Sequence, residues 1–161
     1  MMQTSLLTPA RSAGQPAVRP ARSAGNNLAG VLVAAGVLLL PVAMFLPWYR
    51  DSGGGTLPAW DGYWFVVAGM LALFLAGAWL ALRILAGRPL PGPAVDAIIG
   101  LAFVVTITVV IALFIARPGG NTATAAAVGG YVGLTAINTI KGGAIVATIS
   151  AHRRTSGPAR A

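Results

Sequence analysis

The chain has 161 residues, of which 57% are hydrophobic and only 9% charged. A soluble domain carries about 25% charged residues, and with a mean hydropathy of +0.80 this chain lacks the polar surface to cover so large an apolar core. Soluble globular and disordered proteins are therefore excluded as descriptions of the whole, and an integral membrane protein remains.

Eleven basic residues against three acidic ones give a net charge of +8, and ten of the eleven are Arg. Abundant Arg, Ala, Gly, Pro and Val match the composition of a GC-rich bacterium. The carboxylates are Asp51, Asp61 and Asp96, His152 is the single histidine, and there is no Cys or Glu. Disulfides, thiolate metal sites and Cys nucleophiles are thereby excluded. No His/acid cluster, metal-ligand spacing or activated nucleophile is visible, so neither enzymatic activity nor a cofactor is expected.

Residues 1–26 are rich in Pro, Ser, Ala, Gly and Arg, and Pro-Ala-Arg-Ser-Ala-Gly occurs twice, from Pro9 and from Pro20. Too few large apolar groups are present to fold this tail. Its Arg residues are topology signals, or they attract anionic lipid at the cytoplasmic face at roughly 1 kcal/mol per Arg near the surface. Phosphorylation at Ser12 or Ser23 would weaken that attraction. Nucleic acid is not an expected partner, because the basic residues are scattered and no folded basic module presents them.

A helix needs about 20 mostly apolar residues to cross a bilayer. Four stretches qualify, at about 28–47, 62–82, 96–116 and 124–150, within a transmembrane domain over 27–151 and before a basic tail at 152–161. The expected fold is an all-α, transmembrane four-helix bundle. The first span is too long for a signal-peptide core and ends in bulky Phe45-Leu46-Pro47-Trp48-Tyr49, so it is read as retained. Pro41 should kink it.

In the first connection, Asp51 and Asp61 flank Ser52-Gly53-Gly54-Gly55. This reads as a flexible loop held by interfacial anchors, or as acids that greet a cation. Trp48, Tyr49, Trp60, Tyr63 and Trp64 mark the membrane interface there. In the second connection, Arg88-Pro89-Leu90-Pro91-Gly92-Pro93 is a stiff extended turn, also suited to a proline-binding groove. Asp96 is placed to N-cap the third span.

Basic residues favour the cytoplasmic side of short loops. With the N-terminus inside, Arg11, Arg19, Arg22, Arg83, Arg88, Arg153, Arg154 and Arg160 lie inside, and Arg50 and Arg117 outside. Both termini are expected in the cytoplasm of a bacterial inner (plasma) membrane.

The fourth span holds most of the functional information. On a wheel of about 100° per residue, Tyr131, Thr135, Asn138 and Lys141 share one side, with Thr148 at its edge. Gly129, Gly133, Ala136, Gly143 and Ala147 lie opposite, a seam of small residues that lets helix backbones approach. The polar side is expected to look into the bundle and the small side to pack against another helix, of this chain or of a second copy. Lys141 lies roughly 13 Å deep at about 1.5 Å per residue, where Lys in hydrocarbon is penalised by ~2.5 kcal/mol or more. Three readings of it stand. It snorkels, or pairs with Asp96 to fix helix register. It forms a ligand or ion site with Asn138 and Thr135, with Thr106 and Thr108 of the third span as further candidate members. Or it meets a carboxylate of a partner subunit.

Phe45-Leu46-Pro47-Trp48-Tyr49, Ala59-Trp60-Asp61-Gly62-Tyr63 and Gly130-Tyr131-Val132-Gly133-Leu134 together carry a resemblance. The chain resembles small actinobacterial membrane proteins with a Leu-Pro-Trp-aromatic span end and an Ala-Trp-acid opening of the next span. The resemblance implies a four-span inner-membrane protein and brings no activity with it. The sequence thus suggests an accessory or structural membrane protein acting through helix–helix contacts, as a homo-oligomer or with a membrane-protein partner. The alternative is a transporter or channel subunit with a polar site around Lys141.

Overall fold

The computed structural model describes residues 24–61, 63–115 and 123–155. Most of the N-terminal tail, Arg117 and the last six residues, including Arg160, lie outside them. Four helices carry the fold: α1 (Ala24–Phe45), α2 (Trp64–Leu85), α3 (Gly92–Phe114) and α4 (Val128–Thr155). Each is long and apolar enough to cross a membrane. They pack in a ring in which each helix touches its neighbours in the chain and α4 closes back on α1, the most extensive pairing. The protein is an all-α, four-helix bundle.

Glycines set how closely the helices approach. A Cβ added to Gly36 of α1 would lie 2.7 Å from Ala136 O and 2.9 Å from Ile140 N, so the α1 and α4 backbones touch there. Gly143 of α4 makes the reciprocal approach, 2.9 Å from Val33 N and 3.0 Å from Ala29 O. Val33, Val37 and Leu40 of α1, Met70, Leu73 and Leu80 of α2, Val105 and Val109 of α3, and Ile137 and Ile140 of α4 fill the interior. Among the described residues of the four helices, no polar or charged side chain is buried. Large apolar side chains such as Leu38, Leu75, Leu82 and Val104 cover the outside, as contact with lipid requires.

The end of the bundle opposite the termini is closed by a small antiparallel sheet, a feature absent from the sequence reading. Its strands are β1 (Pro47–Asp51), β2 (Thr56–Pro58) and β3 (Ala123–Ala126), in the order β2-β1-β3. Tyr49 pairs with Leu57 on one side and with Ala126 on the other. The expected flexible glycine loop is therefore a hairpin. The Asp51 carboxylate accepts the Gly55 N–H at 2.6 Å, and Gly54 takes φ +84°, which favours glycine. This use of Asp51 gives the cation reading no support. The fourth helix begins at Val128, four residues later than expected, because residues 123–126 pair with β1.

The opposite connection also differs from expectation. Gly87, at φ +66°, ends α2 by donating its N–H to Ile84 O while Arg88 N–H reaches Arg83 O. Pro91 occupies the N-cap position of α3 and Pro93 lies in the first turn, where proline's missing donor and fixed φ suit a helix start. Asp96 is consequently not the cap: it lies inside α3, four residues past Gly92, and is exposed. Pro41 lies within a continuous α1.

Candidate functional site

Helix α4 places the sequence-derived residues on two opposite faces, and the polar one is turned the other way from that expected. The small side points inward. Gly129 and Gly133 form a slot for the Trp48 indole: a Cβ on Gly129 would lie 2.6 Å from Trp48 Cδ1, and one on Gly133 3.1 Å from Trp48 Cζ2. Ala136, Gly143 and Ala147 are buried further along the same face. This seam packs within the chain against α1 and β1, so it is not a surface free for a second copy.

Trp48 and Tyr49 accordingly differ from the interfacial anchors that the sequence suggested. Each is only 1% exposed. Pro47 has no N–H to donate to Ala43 O, its helical partner, and the Trp48 Nε1–H takes that place at 2.7 Å. The Tyr49 hydroxyl donates to Ala112 O of α3 at 3.3 Å. Burial pushes the Tyr49 phenol up from 10.0 to about 12, with Tyr63 adding to the rise. Trp60 and Trp64, 48% and 77% exposed, are the residues left to anchor this rim.

The polar side of α4 points outward, away from the bundle. Tyr131, Thr135, Asn138 and Thr148 are exposed. Leu134, Thr135, Asn138, Thr139 and Gly142 line, with Leu32 of α1, an open groove of about 540 Å³. The reason is local hydrogen bonding. Thr135 and Thr139 return their hydroxyls to Tyr131 O and Thr135 O at 2.9 and 2.7 Å, and Asn138 Nδ2 donates to Leu134 O at 2.8 Å. A hydroxyl satisfied by its own helix faces lipid at little cost. The side-chain carbonyl of Asn138 has no such outlet, and among the described residues it has no partner.

Lys141 lies at the edge of this face, half-buried, with Nζ over the Phe103 ring of α3 at 4.7 Å from the centroid. A cation over an aromatic face is worth ~0.5–2 kcal/mol, depending on desolvation. Among the described residues Lys141 does not take the Asp96 alternative: Asp96 is seven residues nearer the start of α3 than Phe103, about 10 Å at 1.5 Å per residue. Nor do the α3 threonines join Lys141. Thr106 and Thr108 bond Ala102 O and Val104 O of their own helix, and Thr108 lines a separate groove with Phe65 and Gly69 of α2. Sequence reasoning missed Phe103, Leu32 and Gly142, which carry no polar signal of their own.

The structure thus gathers Thr135, Asn138 and Gly142 on an outward surface, sets Lys141 at its border and leaves Asp96 elsewhere. No protein-family model, curated protein or solved structure matches the chain.

Proposed function

We propose that the protein is a small accessory or structural component of a bacterial plasma membrane, acting through lateral helix–helix contact at the outward face of α4. The observation that carries this reading is the polar face of α4, exposed at Thr135 and Asn138 in the middle of the span. Hydrocarbon cannot hydrogen-bond an amide, whereas another helix can. The apolar interior supports contact over transport: among the described residues of the four helices every buried side chain is apolar.

In the proposed orientation the termini are cytoplasmic. Arg83, Arg88 and Arg153 lie at the end that carries the termini, and Arg83 is fixed there by a hydrogen bond to Pro89 O at 2.9 Å and by the Trp79 ring. Such basic residues suit a surface of anionic lipid headgroups. The proposed kinship with four-span actinobacterial membrane proteins fits the two segments that carry the resemblance near the membrane surface, since they form β1 and the short 3₁₀ turn Ala59–Asp61.

A photo-crosslinking amino acid at Thr135, activated in native membranes, tests the reading. The expected product is a protein adduct, absent when the probe replaces Leu75 on the outside of α2. Adducts to lipid alone at Thr135 refute it. A Lys141→Cys variant that reacts with membrane-impermeant thiol reagents would favour the transport reading instead.

A further inference from the structure

Tyr131, Thr135, Asn138, Gly142, Ile145 and Ile149 follow one another at spacings of 4, 3, 4, 3 and 4 residues. That is the a/d pattern of a heptad repeat, which keeps one seam facing a partner helix along a left-handed crossing. Gly142 is partly exposed and the other five are exposed. The seam extends about 27 Å at 1.5 Å per residue, close to the full hydrocarbon thickness of about 30 Å. It is distinct from the small-residue seam, which is consumed by α1 and Trp48.

We infer that this seam is the interface of a parallel homodimer, in which α4 of one copy packs against α4 of a second. The inference rests on the proposed role of the α4 outer face and names its occupant. Two copies inserted with the same topology meet about a two-fold axis along the membrane normal, so every seam residue faces its own counterpart at the same depth. The contact must therefore be self-complementary, and this one is. Asn138 sits near mid-span with one amide hydrogen on Leu134 O. Its second amide hydrogen and its carbonyl oxygen have no partner among the described residues, and a carboxamide offers both the donor and the acceptor its copy needs.

The flanks fit the same partner. Gly142, one turn further on, has nothing within 4 Å of where a Cβ would stand, leaving room for the close approach of an identical helix. Lys141 is drawn aside over Phe103 of its own chain, so two copies do not oppose like charges across the seam. The Thr135 hydroxyl is already bonded within its own helix, so Asn138 is the amide that fixes register across the seam.

The test is fluorescence energy transfer between donor- and acceptor-labelled full-length chains in liposomes, diluted with lipid. Wild type should show association that saturates as a dimer. Asn138→Leu and Gly142→Leu should each weaken it at least about tenfold, or 1.4 kcal/mol, while Asn138→Gln retains it. Asn138 is exposed and a Cβ at Gly142 meets nothing within 4 Å, so unfolding in detergent should be no easier than in wild type and separates loss of dimer from loss of fold. Wild type that stays monomeric, or a dimer indifferent to both Leu variants, overturns the inference. In that event a protein adduct from the Thr135 probe identifies a different chain as the occupant and leaves the accessory role standing, whereas lipid adducts alone remove both.

Discussion

The α1–α4 contact should tolerate no side chain at Gly36. A Cβ there would lie 2.6 Å from Ile140 Cγ1, 2.7 Å from Ala136 O and 2.9 Å from Ile140 N. The first atom can rotate away, but the other two are backbone and can retreat only if the helices separate. Overpacking a tight interior costs about 1–3 kcal/mol, and two backbone clashes place Gly36→Ala at the upper end. Better helix propensity returns up to about 1 kcal/mol, leaving a net loss of about 2 kcal/mol. Gly100→Ala on α3 is the matched control, because nothing lies within 4 Å of its added methyl. Unfolding of the purified protein by a denaturing detergent, followed by tryptophan fluorescence, measures both. The control should equal or slightly exceed wild type, with Gly36→Ala about 2–3 kcal/mol below it. Equal stability of the two variants would refute the claim that backbone contact at Gly36 sets the helix spacing.

Three further outcomes are expected. Trp48→Phe keeps an aromatic ring in the glycine slot but leaves Ala43 O without its donor, a loss of about 1–3 kcal/mol in the same assay, whereas Trp64→Phe at an exposed site should change stability by less than about 0.5 kcal/mol. Because the folded chain holds the Tyr49 proton up to about pH 12 and the unfolded chain releases it above 10.0, this contribution is whole below pH 10 and is lost between 10 and 12; unfolding across that window should show the loss in wild type and a flatter profile in Tyr49→Phe. Lys141→Met removes a cation–π contact of ~1 kcal/mol together with a charge that is costly at this depth, so stability should be unchanged or slightly raised; a fall of more than about 2 kcal/mol would reveal an anionic partner.

The four spans were legible because membrane crossing is written in local composition: a run of about 20 apolar residues has few other folds open to it. The sheet was not legible in the same way. β1 is five residues and β2 three, and β3 is drawn from Ala123–Ala126, an alanine-rich segment that by itself reads as the start of a helix. What makes it a strand is the exposed edge of β1, more than 70 residues earlier in the chain. Trp48 was misplaced for a related reason. Aromatic residues at a span end usually mark the interface, but the space that buries this one is made by Gly129 and Gly133 on another helix.

The two faces of α4 were found by periodicity, which resolves faces without saying which one looks inward. In water the polar face turns out, and in lipid, which repels polar groups, the simple expectation is the inverse. The inversion fails where the polar group is a threonine that bonds the carbonyl four residues back, since such a side chain presents mainly a methyl to lipid. The small face, by contrast, has a firm inward preference, because a Cβ at Gly143 would stand only 2.9 Å from Val33 N and 3.0 Å from Ala29 O of α1. Close backbone contact therefore orients α4, and its polar residues follow to the outside. Among the described residues Asn138 keeps unmet hydrogen-bonding capacity there in the middle of the span, which places a demand for a partner inside the membrane on one face of the bundle.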